Sequence, residues 1–408
     1  MKHSGTDWIG EIPVQWELAP TKRVFRGKKR IVGDEADNYE RLALTLNGVV
    51  KRNKDDNEGL QPEQFNGYQI LEKNELVFKL IDLQNIRTSR VGLSPYTGIV
   101  SPAYIILSNS ETDNRFYYYW FMDMYNRCIF NQMGDDGVRS ALNIKDVLEI
   151  PLPLIAESTR IKIASFLDKK CAEVDEMIAL QEQIIEELKA YKQSVITEAV
   201  TKGLNPDVPM KDSGIEWIGQ IPEHWDVKRL KFVAERHNQK VSDEVLPYIG
   251  LENVESFSER FIETENEYDI TQAQVCAVGD VIFGKLRPYL GKAMVIKTEH
   301  CCSSEFLVLS GSGAPSYLRY LLLSDWFVEI VNASTYGTKM PRANADYIMN
   351  MQVVCPPIDE RKAIADYLGE KCADIDSLIQ TKQSKIDSLK EYKKSIIYEY
   401  VTGKKEVK

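Results

Sequence analysis

The sequence lacks most of the features that mark a catalyst, a metalloprotein or a membrane protein. No run of about 18 apolar residues occurs in its 408 positions, so no transmembrane helix is expected. The opening residues, MKHSGTDW, lack the apolar stretch of a secretory signal, and the chain is expected to stay in the cytoplasm. There are seven cysteines (Cys128, Cys171, Cys276, Cys301, Cys302, Cys355 and Cys372). The count is odd and no CxxC is present, which reads as reduced core thiols rather than a disulfide framework or a metal site. The four histidines, His3, His224, His237 and His300, are dispersed, with no HExxH spacing. There is no G-x-S-x-G, no G-x-G-x-x-G after a strand, and no His and Cys pairing that suggests a nucleophile. The sequence CPPI at 355–358 lacks the Asn or Asp and the aromatic of an adenine-methyltransferase loop. The carboxylates around ELK at 187–189 imitate part of a nuclease triad but fall on a helical pattern. The run Gly279 to Lys285 spells G-x-x-x-x-G-K, but Leu286 stands where a magnesium-binding hydroxyl is needed, and Asp-Val-Ile-Phe between the glycines reads as a strand. No metal and no cofactor are therefore expected in this chain.

An excess of positive charge is also lacking: the net charge is −10, with 43% apolar and 27% charged residues, a soluble globular composition. At roughly 100–200 residues per domain, a chain of this length predicts two or three cores.

What the chain does have is a repeat. Ser4, Gly5, Trp8, Ile9, Gly10, Ile12, Pro13 and Trp16 return as Ser213, Gly214, Trp217, Ile218, Gly219, Ile221, Pro222 and Trp225. The stretch RIKIASFLDKKCAEVDEMI from Arg160 parallels RKAIADYLGEKCADIDSLI from Arg361, and LKAYKQSVITEAVT from Leu188 parallels LKEYKKSIIYEYVT from Leu389. A period this long means a duplicated domain rather than a solenoid. Each copy of the second landmark carries a heptad seam: Leu167, Cys171, Val174, Ile178, Ile185 and Leu188 in the first, Leu368, Cys372, Ile375, Ile379, Ile386 and Leu389 in the second. Gln181 and Lys382 interrupt the two seams at the same step, as register-fixing polar positions do.

Gly203, Pro206 and Pro209 stop the first helix, and Asp359 can cap the second. If the intervening unit has its ends close together, the two helices run antiparallel, and the C-terminus returns to the N-terminus. The expected fold is α+β: two repeated mixed α/β domains separated by two long antiparallel coiled-coil helices, with pseudo-two-fold symmetry. The expected divisions are 1–156, 157–203, 204–358 and 359–408. Within the globular parts, NELVFKLIDL, GDVIFGKLRPYL, SPAYIILSN and SSEFLVLSG read as strands. DNRFYYYWFMDMYNRCIF and PSYLRYLLLSDWFVEIV read as buried helices, and their aromatics as core.

Charge is segregated within the acidic whole. Lys22, Arg23, Arg26, Lys28, Lys29 and Arg30 lie in a stretch without acid, as do Arg87 and Arg90, Lys285, Arg287, Lys292 and Lys297, and Lys339 and Arg342. Such stretches can give an acidic body one cationic face. The loop GKLRPYLGK couples Lys285, Arg287, Tyr289 and Lys292 to glycines that let backbone approach a phosphate. An Arg can also bind guanine O6 and N7 with two hydrogen bonds. YGTKMPRAN offers Lys339, Arg342 and Asn344, and its first-half counterpart DDGVRSALN offers Arg139 and Asn143. The candidate DNA contacts are Lys22, Arg23, Arg26, Lys28, Arg87, Arg90, Arg139, Lys285, Arg287, Tyr289, Lys292, Lys339, Arg342 and Asn344.

Together, EAVTKGLNPDVPMKDSGIEWIGQIPEHWDVKRLK, GDVIFGKLRPYLGK and PPIDERKAIADYL leading into a heptad helix resemble the specificity subunit of bacterial type I restriction–modification enzymes. The resemblance spans both repeats. The first repeat departs most, with LVFKLIDLQNIRTSRVG where the Gly-Lys-Leu-Arg-Pro loop is expected. The resemblance implies two target-recognition domains, 1–156 and 204–358, each reading half of a split duplex DNA site, with the helices setting the spacer. It also implies partners: two modification subunits that use S-adenosylmethionine, and restriction subunits that use ATP and Mg. Two other readings remain open, an enzyme acting alone and a coiled-coil linker that binds only protein. If the helices act as a ruler, inserting one or two turns that preserve the heptads shifts the accepted spacer and leaves the half-sites unchanged. Mapping of methylated sites checks this, and altered half-sites with a fixed spacer refute it.

Overall fold

The structure is a computed structural model that describes residues 1–53, 64–83, 90–109, 113–133, 141–241, 246–264, 272–337 and 339–407. It divides into two compact units, Met1–Gln181 with Ser384–Lys408, and Glu182–Gln383. Both long helices form, over Glu157–Lys202 and Ile358–Val401, with 46 and 44 residues. The unit boundary cuts each helix near its middle, so each globular part packs with half of each helix instead of standing apart from them.

In the first unit the repeated frame is a small hairpin, Lys2–His3 antiparallel to Glu11–Ile12. The Ser4 hydroxyl donates to the Thr6 carbonyl at 3.0 Å, and Gly10 takes φ +72°, a left-handed turn position that suits glycine. Ile9, Ile12 and Trp16 are buried. The frame recurs because it encodes a turn followed by apolar anchors. In the second unit Met210–Asp212 pairs with Gln220–Pro222, Ser213 donates to the Ile215 carbonyl at 3.2 Å, and Ile218, Ile221 and Trp225 are buried.

Each frame leads into a strand that closes the globular part against a strand entering a long helix. Glu17–Pro20 pairs antiparallel with Pro151–Leu154 in the first unit, and Asp226–Arg229 with Gln352–Cys355 in the second. Between them lies a four-stranded sheet. Its order in the first unit is Arg26–Lys28, Ile105–Ser108, Leu76–Phe78, Val91–Leu93, and in the second Glu235–His237, Phe306–Ser310, Val281–Gly284, Ala293–Val295. The central strands read as unbroken apolar runs because both faces are buried. Leu76 and Phe78 join the core beneath the Arg115–Asn126 helix, whereas Val77 faces a second sheet with Leu42, Leu44 and Val100. In the second unit Val281 and Phe283 join one core and Ile282 the other. Among the described residues the second sheet of the first unit has four strands, Gly48–Arg52, Arg41–Thr45, Gly98–Val100 and Gln69–Leu71, and its counterpart has three, Tyr248–Ile249, His300–Cys302 and Gln274–Cys276.

The aromatic-rich segments are core helices. Phe116, Tyr117, Trp120 and Phe121 are fully enclosed, as is Phe327. Each segment breaks in two, into Arg115–Asn126 with Ile129–Met133 and Pro315–Leu322 with Asp325–Ala333. Arg115 donates to Asp168 at 2.6 Å and the Tyr119 hydroxyl to the same carboxylate at 2.8 Å, fastening the aromatic helix to the first long helix.

The heptad seams are the buried stripes of the long helices. Leu167, Cys171, Val174, Ile185, Leu368, Cys372, Ile375 and Ile386 are buried; Ile178, Leu188, Ile379 and Leu389 are half-buried. Within the first unit Phe166 stacks near Tyr400, with ring centroids 4.4 Å apart, and Asp175 pairs with Lys393 at 2.7 Å. The partner numbers fall as the first helix advances, so these helix halves are antiparallel. In the second unit Lys192, on the first helix, is held by Asp376 of the second at 2.7 Å. The C-terminal segment does return to the N-terminal frame: Lys404 Nζ donates to the Ile9 carbonyl at 3.2 Å.

Gly403 takes φ +69°, and a Cβ there would lie 2.5 Å from Pro13 Cγ; Gly214 takes φ +73° with nothing within 4 Å. Gly403→Ala therefore adds a clash to the left-handed strain, whereas Gly214→Ala carries the strain alone. The first is expected to destabilise by about 1–3 kcal/mol more than the second in denaturant titration.

Candidate nucleic-acid interface

In the second unit the two basic loops named from the sequence are brought together. The Ala343 amide donates to the Lys285 carbonyl at 2.9 Å and the Arg287 amide to the Pro341 carbonyl at 2.7 Å. Leu286 and Tyr336 each bridge to Arg342. Arg287 adopts φ +50°, an uncommon left-handed conformation for a non-glycine residue. It precedes the short turn Pro288–Leu290, whose Pro is pre-set for that start. Arg287 is exposed and, with Lys339, has no ion-pair partner among the described residues. Tyr289 and Tyr336 are exposed beside them, at 47% and 63%. Free guanidinium, free ammonium and two open aromatic faces on one loop pair suit a polyanion carrying stackable or groove-edge bases.

The other candidates divide by partner. Arg342 is exposed but pairs with Glu305, and Asn344 uses its side-chain oxygen to cap the Ala345–Asn350 helix, accepting from Asp346 N at 2.7 Å. Lys285 is half-buried. Burial pulls its pKa below the ordinary lysine value; Glu305 opposes this, and the nearby Arg236 and Arg342 charges add to it. Lys292 requires a correction. Its ammonium donates to the Leu251 and Val254 carbonyls at 2.7 and 2.8 Å, so it staples the loop from behind rather than facing a ligand. Burial lowers its pKa also.

The staple belongs to a longer support. Phe257 holds φ +52°, its amide donates to the Gly291 carbonyl at 2.9 Å, and its ring packs where a Cβ on Gly291 would stand. The Phe257 carbonyl accepts from Lys192 Nζ at 3.2 Å, the same ammonium that grips Asp376. The helix pair, the 251–257 segment and the basic loop of this unit are thus bonded in series.

In the first unit Lys22 pairs with Glu149 at 2.6 Å, Lys28 with Glu75 at 3.7 Å, and Arg30 with Glu72 and Glu75. Arg26 donates to the Lys22 and Phe25 carbonyls, and Arg23 is exposed. Arg90 is corrected as a DNA contact. It is 1% exposed, donates to the Ile81 and Asp82 carbonyls at 3.0 and 2.9 Å, and has its pKa lowered by burial. Arg87 and Arg139 lie outside the described residues. Sequence reasoning missed Arg236, which pairs with Asp346 beside Lys285, and Tyr336. Arg236 follows an acid and so fell outside the acid-free stretches, but its strand position beside the loop pair becomes legible only once the sheet is paired.

Among the described residues no group of three His, Cys, Asp or Glu side chains could hold a metal ion, and no helix is long and apolar enough to cross a membrane. Fold and surface define a class: a duplicated mixed α/β chain with long heptad helices and an exposed cationic loop pair in its second unit.

Known proteins narrow that class. No family model matches the chain. It is 27% identical over 281 residues to the type I restriction enzyme MjaVIII specificity subunit of Methanocaldococcus jannaschii, a match covering 64% of this chain and 63% of that one. It is 23% identical over 254 residues to the type I restriction enzyme EcoDI specificity subunit of Escherichia coli, covering 57% of each. These matched stretches span about three fifths of the relatives' lengths. A solved chain described under complex assembly and conformational transition of the type I R-M system aligns with TM-score 0.68 and 14% identity, covering 96% of this chain and 98% of that one. The curated relatives are specificity subunits, the family that the repeated motifs resemble, and the solved chain shares the fold.

Lys292→Met removes the donor from two carbonyls while leaving Arg287, Tyr289 and Lys339 untouched. It is expected to cost about 1–3 kcal/mol of stability in denaturant titration.

Proposed function

We propose that this chain is the sequence-reading subunit of a type I restriction–modification complex. In this reading each unit recognises one half of a bipartite duplex target, and the helix pair sets the spacer between the halves. Adenine methylation belongs to two modification subunits with S-adenosylmethionine; translocation and cleavage belong to restriction subunits with ATP and Mg. This chain contributes recognition, not chemistry.

The observation that carries the proposal is the loop pair of the second unit, where Arg287 is held out on a left-handed backbone with no ion-pair partner among the described residues. An exposed guanidinium on a backbone pinned in this way fits bidentate reading of guanine O6 and N7 in the major groove, and Lys339 suits the adjoining phosphate. Most other cations nearby are paired with acids or bonded to backbone, which agrees with an acidic chain that binds DNA through a few selected side chains.

Arg287→Ala, in a complex with its partner subunits, is expected to relax one base pair of one half-site, a loss of about 1–3 kcal/mol in discrimination. Methylation-site mapping reads this directly; relaxation in both halves contradicts modular reading. Lys339→Ala is expected to weaken binding evenly across sequences and to lower the salt dependence of affinity by about one phosphate contact. Affinity insensitive to salt contradicts DNA binding by this surface.

A further inference from the structure

The first unit contains no Gly-Lys-Leu-Arg-Pro motif, yet its backbone builds the same support. The Leu76–Phe78 strand leads to Lys79, whose amide donates to the Arg90 carbonyl at 2.9 Å; the Val281–Gly284 strand ends where the Gly284 amide donates to the Lys292 carbonyl at 2.8 Å. One residue later the Leu80 carbonyl accepts from the Leu142 amide at 3.0 Å, as the Lys285 carbonyl accepts from Ala343 at 2.9 Å. Two residues beyond that, Asp82 stands at φ +55° where Arg287 stands at φ +50°. Both are exposed. A cation bonded to backbone carbonyls props each loop, the buried Arg90 through Ile81 and Asp82 and the half-buried Lys292 through Leu251 and Val254.

An uncommon backbone conformation retained twice, under side chains of opposite charge, marks a presentation site whose occupant varies. We infer that Asp82 is a base-reading residue of the first unit, accepting a hydrogen bond from an exocyclic amino group, that of cytosine N4, in the major groove. An ionised carboxylate has only acceptors and is repelled by phosphate, so a backbone-contact role does not suit it. Among base edges, the major groove presents its amino donors on cytosine and adenine, and a carboxylate pairs with cytosine N4. The Asp82 carboxylate also lies in the field of Arg90.

This inference rests on the proposed function, and the test separates the two. Asp82→Gly removes the carboxylate while keeping the left-handed conformation accessible; Asp82→Asn keeps shape and conformation but can also donate. Each is assembled with the partner subunits, and methylated adenines are mapped genome-wide. Asp82→Gly is expected to relax one base pair in one half-site by about five-fold or more, and Asp82→Asn to shift that position toward adenine. The other half-site is expected to stay unchanged. If both variants methylate the unaltered bipartite sequence, Asp82 serves only to balance Arg90 and the inference fails while the function stands. If Asp82→Gly does not fold, the Asn variant decides alone. If the parent complex shows no sequence preference, the proposed function itself fails.

Discussion

Each globular part of this chain closes its core with one half of each long helix, and the rest of the structure depends on that sharing. Ile163, Ala164 and Leu167 from the start of the first helix and Ile397 and Val401 from the end of the second belong to the core of the first unit. Ile196, Ala199 and Val200, with Ile364, Ala365 and Leu368, do the same in the second. Neither helix is a free linker. Apolar burial of this kind, about 25 cal/mol per Å² of surface removed from water, makes helix position and unit integrity one equilibrium.

The second unit shows how that constraint reaches a surface. Lys192 grips Asp376 across the helix pair and the Phe257 carbonyl behind the basic loop, and Phe257 fits against Gly291 within that loop. A side-chain change in the loop tip, by contrast, alters nothing that the core or the helices hold. In the second unit the supports are bonded to the helices, while Arg287 at the loop tip has no ion-pair partner among the described residues, the division that the proposed recognition role calls for.

Much of this was legible in the sequence, and the limits have physical causes. The Ser-Gly, Trp-Ile-Gly, Ile-Pro, Trp frame was visible because turn chemistry and buried aromatics tolerate few substitutes. The seams were visible because 3.5-residue spacing survives over several turns. The strands around Leu76 and Val281 were visible as apolar runs, though their two-faced burial was not. Roles of individual cations were not legible. Arg90 and Lys292 read as free charges in acid-free stretches, but each turns to backbone carbonyls, Arg90 to those of its own loop and Lys292 to those of a segment some forty positions away. The correspondence of Asp82 with Arg287 was hidden for another reason. The sequence sets the two segments opposite each other, but the residues differ in charge, and it is the shared backbone conformation and its hydrogen bonds that mark them as equivalents.

The proposed function makes each unit a separate reader of one half-site. Sequencing of methylated adenines in a host that expresses this chain with the modification and restriction subunits proposed as its partners tests it most directly. The account predicts a single bipartite motif, two short unlike half-sites separated by a fixed number of unspecified base pairs. A contiguous motif, or methylation without sequence preference, would contradict it.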